Sequence, residues 1–112
     1  MTFGREIVIN TPPYVKRMAE IIYDSGVRPE FELFDLGHVA SLQRLLGKYG
    51  LPSGGKVHID FVMGVPGGMP GTAAALVAGV AALPPEVTSW SATGIGRCTL
   101  DVMYASLHGD PV

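Results

Sequence analysis

Val57-His58-Ile59-Asp60-Phe61-Val62-Met63 runs directly into Gly64-Val65-Pro66-Gly67-Gly68-Met69-Pro70-Gly71-Thr72, and a nearly uncharged segment from Ala73 to Val80 follows. The first part is rich in β-branched and aromatic residues and reads as a strand. The second is a glycine and proline loop. The third is an apolar helix, ended by Pro84 and Pro85. Strand, glycine loop and helix form the unit from which α/β proteins build ligand sites at the carboxyl ends of parallel strands. Glycines let a ligand approach the backbone, and free N–H groups there can bind anions or polarised oxygens.

The same unit recurs along the chain. Strand-like runs lie at Glu6–Ile9, Glu30–Asp35, Val57–Met63 and Val87–Ala92, at intervals of roughly 25–30 residues, with helical patterns between them. The first helix begins at Thr11, a good N-cap, with Pro12 and Pro13 opening its first turn. Tyr14, Met18, Ile21 and Ile22 mark its inner face, and Gly26 ends it. The second spans His38 to Tyr49, with Val39, Leu42, Leu45, Leu46 and Tyr49 inward. The third follows Thr72, and the fourth covers Thr99 to Leu107. His108-Gly109-Asp110-Pro111-Val112 reads as a turn toward a further strand. Four consecutive βα units with neither flank completed are expected to be part of a (β/α)8 barrel, which takes about 250 residues when whole. An open doubly wound sheet is the alternative. A dinucleotide fold would want Gly-x-Gly-x-x-Gly after its first strand, where this chain has Asn10-Thr11-Pro12-Pro13.

Composition fits this architecture. The chain has 112 residues, 47% hydrophobic and 16% charged, with a formal net charge of −2. So apolar a short chain suggests a segment covered on several sides. The basic residues are scattered and form no stripe for nucleic acid. One cysteine, Cys98, excludes an internal disulfide and fits a cytoplasmic protein. No basic region followed by an apolar stretch opens the chain, so no signal peptide is expected. The uncharged run from Phe61 to Pro85 is too broken by proline and glycine to span a bilayer, which takes ~20 apolar residues.

Chemistry-bearing residues are few. In Glu30-Phe31-Glu32-Leu33-Phe34-Asp35, alternation puts Glu30, Glu32 and Phe34 on one face. A carboxylate inside such a strand is costly unless paired or used, so mid-strand Glu32 is the functional candidate and Glu30 the structural one. Asp35 is either a ligand contact or the cap of the next helix. Gly64–Thr72 lacks the lysine of a phosphate loop. Arg97, in Trp90-Ser91-Ala92-Thr93-Gly94-Ile95-Gly96-Arg97, sits where a strand-end loop meets a helix and could pair with a carboxylate or phosphate. The histidines have no metal-site spacing. His58 and Asp60 share a strand face, but near the strand start, away from the active end of a barrel.

Taken together and in order, Pro29–His38, Met63–Pro70 and Trp90–Arg97 resemble the beta-keto acid cleavage enzymes, the family of the 3-keto-5-aminohexanoate cleavage enzyme. Asn10-Thr11-Pro12 fits a segment after an earlier strand. The resemblance implies a zinc-dependent TIM barrel that exchanges acyl groups between a 3-keto acid and acetyl-CoA, giving acetoacetate and an acyl-CoA. It implies that this chain is the central part of one barrel domain, residues 1–112, holding strands four to seven. The zinc ligands, a His-x-His pair and a glutamate, would then lie outside the chain, as would a catalytic arginine and aspartate. Glu32 matches the strand glutamate that assists those two. Asn10, Gly64, Gly67, Gly68 and Arg97 are expected at the substrate mouth. The full enzyme is expected to be a cytoplasmic homo-oligomer, with no nucleic-acid or membrane partner. Two rivals stand beside this reading. One is a half-barrel binding or structural subunit that completes its sheet with another chain. The other is a different TIM-barrel enzyme with Glu32 as general base.

Overall fold

Three parallel strands in the order β3-β4-β5 form the centre of the molecule. A computed structural model describes residues 2–3, 6–7 and 10–109. In chain order the elements are β1 (Thr2–Phe3), β2 (Glu6–Ile7), α1 (Pro12–Ser25), β3 (Glu30–Leu33), α2 (Gly37–Tyr49), β4 (Val57–Met63), α3 (Ala73–Ala82), β5 (Val87–Gly94), a single 3-10 turn at Gly96–Cys98, and α4 (Thr99–Gly109). The α/β alternation expected from the sequence is therefore present from β3 onward.

The expected first strand, Glu6–Ile9, is corrected. Glu6–Ile7 pairs antiparallel with Thr2–Phe3, as Thr2↔Ile7 and Phe3↔Glu6, in a sheet of its own. Only Gly4 and Arg5 separate the two strands, and antiparallel pairing needs no more than that. Val8 and Ile9, the rest of that expected strand, lie outside the described residues, as do residues 110–112 of the expected terminal turn. His108 and Gly109 belong to α4 instead.

The helix boundaries follow local chemistry. The Thr11 hydroxyl accepts from the Tyr14 N–H at 3.4 Å, and Gly26 closes α1 in the left-handed region at φ 75°. The Thr72 hydroxyl likewise accepts from the Ala75 N–H at 3.2 Å to start α3. No side chain caps α2, so Asp35 contributes only its backbone carbonyl, which accepts from the His38 N–H at 3.0 Å. β3 ends two residues before the expected Asp35. The Phe34 N–H, which would continue the ladder, donates to Nδ1 of His38 at 2.9 Å.

β4 organises the core because it is paired on both sides. Val57, Ile59, Phe61 and Met63 alternate onto one face, and each is fully buried. Burying a side chain of that size stabilises by roughly 1.5–3 kcal/mol. Val39, Leu42 and Leu46 of α2, Leu76 of α3, and Val102 and Ala105 of α4 complete this cluster. α3 comes close to the sheet because Gly79 lies over the Phe61 ring, where an added Cβ would be 2.9 Å from Cε1. The expected inner face of α1 is not covered: Tyr14, Met18 and Ile21 are exposed, and Ala19 is the one buried residue of that helix. No helix among the described residues is long and apolar enough to cross a membrane.

The pairing of β4 with β5 is irregular. Val57 faces Val87, but His58 faces Ser89, so Thr88 is an extra residue in β5. Its hydroxyl donates to the Val57 carbonyl at 3.0 Å and accepts from the Val57 N–H at 3.2 Å, which satisfies the backbone at the slip. Beyond it the register is regular to Met63↔Gly94. Trp90 and Ala92 then fall on the apolar face, with Trp90 edge-on to Phe61 at 6.4 Å between ring centroids. Ser89, Ser91 and Thr93 fall on the other face.

α1 is tied to the body by the Tyr23 hydroxyl, which donates to the Gly50 carbonyl at 3.0 Å. Burial raises the Tyr23 pKa above its ordinary 10.0. A phenol whose folded pKa is raised adds stability that is complete below the unfolded value and is lost as pH rises through the folded one. Urea denaturation should therefore show stability falling above pH 10, and Tyr23→Phe should flatten that decline.

Candidate functional site

The face of the sheet opposite the core is polar. It carries two rows across β3, β4 and β5, Glu30, His58 and Ser89, then Glu32, Asp60 and Ser91, and at the carboxyl end the pair Val62 and Thr93 across β4 and β5. The register places Glu32 directly across from Asp60 and Asp60 directly across from Ser91. Asp60 is buried, at 7% exposure, while Glu32 is exposed.

A buried carboxylate must find donors, and Asp60 has two. Ser91 donates to Oδ1 at 2.7 Å and Thr93 donates to Oδ2 at 2.9 Å. His58 links the lower rows. Its Nδ1 is 2.7 Å from the Ser89 hydroxyl, and its Nε2 is 3.3 Å from the Ser91 oxygen and 3.2 Å from Glu30 Oε1. With a neutral imidazole the directions are fixed by elimination. Ser91 has spent its proton on Asp60, so it accepts from Nε2–H, and Nδ1 accepts from Ser89. A directed chain therefore runs from Ser89 through His58 and Ser91 to Asp60. His58 is held on this face by hydrogen bonds at both ring nitrogens. The sequence pairing of His58 with Asp60 pointed to this face, but Ser91 and Thr93 gave no signal, because simple alternation from Val87 does not include the extra Thr88.

Above Asp60 lies a cleft of about 460 Å³ lined by Glu32, Phe34, Asp60, Val62, Val65, Pro66, Thr93 and Ile95. Glu32 also borders a second cavity, together with Asn10, along the β3 side of the sheet. The remaining expected residues, Gly64, Gly67, Gly68 and Arg97, line a third cavity between the two glycine-rich loops. That cavity shares Val65, Pro66 and Ile95 with the first, so these residues border both. The structure thus brings Glu32 and Asn10 to one cavity and gathers Gly64, Gly67, Gly68 and Arg97 around another. Arg97 is exposed.

The loop geometry explains the glycines locally. Gly64 and Gly67 have φ 87° and 94°, in the left-handed region. The Gly64 N–H donates to the Met69 carbonyl at 3.0 Å and the Gly68 N–H to the Val65 carbonyl at 2.9 Å, so both close the loop itself. The Met69 N–H donates to the Phe34 carbonyl at 2.8 Å and fastens the loop to the end of β3. Close approach is a second cause. A Cβ on Gly64 would lie 2.9 Å from the Cys98 Sγ, one on Gly71 2.5 Å from the Cys98 Cβ, and one on Gly94 2.5 Å from the Cys98 carbonyl oxygen. Three glycines from both blocks therefore make room for one residue at the start of α4.

Whether these residues fit zinc can be judged from their donors. Among the described residues no three His, Cys, Asp or Glu side chains gather to hold a metal ion. Both ring nitrogens of His58 and both oxygens of Asp60 are engaged within the network. The described residues do not fit a zinc site.

A profile of the beta-keto acid cleavage enzyme family matches residues 1–109. The chain is 36% identical over 94 residues to the 3-keto-5-aminohexanoate cleavage enzyme of Fusobacterium nucleatum, covering 84% of this chain and 33% of that protein. It is 36% identical over 96 residues to the 3-dehydrocarnitine:acetyl-CoA trimethylamine transferase of Rhizobium meliloti, covering 86% and 31%. It is 32% identical over 113 aligned positions to the 3-oxoadipate:acetyl-CoA acetyltransferase of Cupriavidus necator, covering 96% and 38%. The chain spans about a third of the length of these curated relatives.

Two substitutions test the geometry. Ser91→Ala leaves one oxygen of a buried carboxylate without its donor and should cost about 1–3 kcal/mol in urea denaturation. Gly94→Ala forces a Cβ against the Cys98 backbone and should cost at least about 1–3 kcal/mol.

Proposed function

Because the chain belongs to the beta-keto acid cleavage enzyme family, we propose that its polar sheet face and glycine loops are part of the substrate site of an enzyme that exchanges acyl groups between a 3-keto acid and acetyl-CoA. In this reading the three parallel strands are an arc of a TIM barrel within a single barrel domain, and the polar face turns toward the barrel axis. Support comes from the two-sided sheet. One face is sealed by α2, α3 and α4, while the other presents carboxylates and hydroxyls, as the inner wall of a catalytic barrel would. The whole enzyme is read as a cytoplasmic homo-oligomer.

The observation that carries the proposal is the position of Glu32. It stands on the strand whose sequence matches the family, and it opens on the cleft at the carboxyl end of the sheet. Cleavage of a 3-keto acid between its second and third carbons needs a base, stabilisation of a developing oxyanion and a fixed substrate. Glu32 serves as the carboxylate that orients the proton-moving groups. Asn10 faces the substrate from one side. Arg97 binds its carboxylate from the other, and Gly64, Gly67 and Gly68 shape the mouth by close backbone approach. Acetyl-CoA is the co-substrate. The zinc implied for the family lies, in this reading, on residues other than those described, and no step through it is assigned to this chain.

A second reading is favoured by one set of observations: association with another chain to complete the sheet. Among the described residues β3 and β5 each pair on one side only. On α4, Leu100, Tyr104 and Leu107 are exposed at 76%, 67% and 76%. Light scattering after size exclusion separates the cases, because a discrete dimer supports this reading and a monomer removes it.

The enzymatic reading is tested by replacing the matching segment of the Fusobacterium nucleatum relative with this chain and measuring acetoacetate formed from 3-keto-5-aminohexanoate and acetyl-CoA. The chimera should turn over. Glu32→Gln should lower kcat by roughly 10²–10⁴-fold, and Glu30→Gln should stay near the parent rate. A folded chimera that forms no acetoacetate, or one indifferent to Glu32→Gln, overturns the proposal.

A further inference from the structure

Asp60 lines the cleft but is only 7% exposed, so a ligand filling the cleft would cut its carboxylate off from water. A second route to water remains behind it. The Ser89 hydroxyl is exposed and lies 2.7 Å from His58 Nδ1. His58 Nε2 lies 3.3 Å from the Ser91 oxygen, and Ser91 donates to Asp60 Oδ1 at 2.7 Å. Ser89, His58 and Ser91 do not line the cleft. Every donor along this path points the same way, from Ser89 toward Asp60. Glu30 Oε1, 3.2 Å from Nε2, also accepts there and favours the hydrogen on that nitrogen, as an amide oxygen in its place would. Among the described residues, the titratable groups on this face are Glu30 and Glu32 of β3 and His58 and Asp60 of β4, while β5 brings hydroxyls.

We propose that Ser89, His58 and Ser91 are a proton relay that joins Asp60 to bulk water from behind the cleft. The proposal rests on reading that cleft as the substrate site. An imidazole accepts a proton on one nitrogen and releases one from the other, and a hydroxyl does the same through its oxygen. A hydronium ion or buffer acid gives a proton to the Ser89 oxygen as the Ser89 proton passes to Nδ1. The Nε2 proton passes to the Ser91 oxygen as the Ser91 proton passes to Oδ1. Asp60 becomes a neutral acid, the imidazole and both serines end neutral, and water or the conjugate base is left outside. Every hydrogen bond of the path is then reversed, so the same groups return the proton outward. Acyl exchange moves protons on and off the bound substrate, and the relay keeps Asp60 in exchange with water while the site is full. Glu32, directly across from Asp60, keeps its place at the reacting centre and takes no part in the path. The two hydroxyls of the relay, Ser89 and Ser91, face His58 and Asp60 because of the Thr88 slip.

The test joins a spectroscopic readout to a kinetic one. On the purified chain with the imidazole neutral, nitrogen resonances of His58 should show the Nε2–H tautomer. The Nδ1–H tautomer overturns the inference whatever the activity. In the chimera, His58→Gln keeps a donor and an acceptor but cannot pass a proton. It should lower kcat by roughly 10²-fold and leave KM within about twofold, because His58 does not line the cleft. His58→Ala leaves room for a free base, and added imidazole should restore most of the lost rate. A merely structural histidine would be replaced by glutamine with little loss and would gain nothing from imidazole. Full rate in His58→Gln, or no rescue of His58→Ala, therefore overturns the inference. If His58→Ala fails to fold, Ser91→Ala, which interrupts the path and leaves His58 in place, takes over its part. It should show the same fall in kcat, and the parent rate in that variant overturns the inference. A parent chimera that forms acetoacetate but is indifferent to these changes removes the relay alone. A parent chimera that forms none removes the enzymatic reading, and the relay with it.

Discussion

Thr88 is one residue more than the ladder between β4 and β5 can pair, and its placement fixes which side chains share a face. Strand side chains alternate with a period of two, so a single extra residue exchanges the faces of everything beyond it. With the slip, Trp90 and Ala92 join the core, and Ser91 and Thr93 arrive beside Asp60. Without it, Trp90 would stand on the polar face and the buried Asp60 carboxylate would lose both hydroxyls. The backbone disturbance is small, because the Thr88 hydroxyl binds both the N–H and the carbonyl of Val57. A local irregularity thus settles both the packing of the core and the chemistry of the opposite face.

The two faces of the sheet divide the work of the chain. β4 is paired on both sides and sends Val57, Ile59, Phe61 and Met63 into a sealed cluster. The same strand sends His58 and Asp60 the other way, into a chain of hydrogen bonds whose direction is set by which hydroxyl has already given its proton. The apolar side supplies stability and the polar side carries a buried carboxylate with its donors, and the backbone of β4 is common to both. The glycine loop after β4 is held to the same frame, since the Met69 N–H reaches the Phe34 carbonyl. The end of β3 and the loop are therefore joined by a backbone hydrogen bond.

Much of this was legible in the sequence, for identifiable reasons. The bounds of β4 follow from a run of β-branched and aromatic residues stopped by glycine. The starts of α1 and α3 follow from threonine caps, and the buried face of α2 from its apolar spacing. The family resemblance followed from three ordered blocks, and the profile and the relatives bear it out. The antiparallel pairing of Thr2–Phe3 with Glu6–Ile7 was not legible, because a run of only two residues carries no period. Nor was the exposure of Tyr14, Met18 and Ile21, since an amphipathic stripe shows which side of a helix is apolar and not whether anything covers it. Glu32 could be singled out as a carboxylate in mid-strand. Asp60 could not be given its partners, because these depend on a register shift that no local pattern announces.

Cys98 has a consequence for how this sequence can drift. Its side chain and carbonyl occupy the space left open by Gly64, Gly71 and Gly94, which come from two separate segments, the loop after β4 and the end of β5. Positions 64, 71, 94 and 98 are therefore sterically linked. An alanine at any of the first three is barred while the fourth stays as it is, and the conflict with the carbonyl at 98 cannot be relieved by trimming a side chain. A larger residue at 64, 71 or 94 would push on the segment at 98, so the two glycine-rich loops would have to shift together.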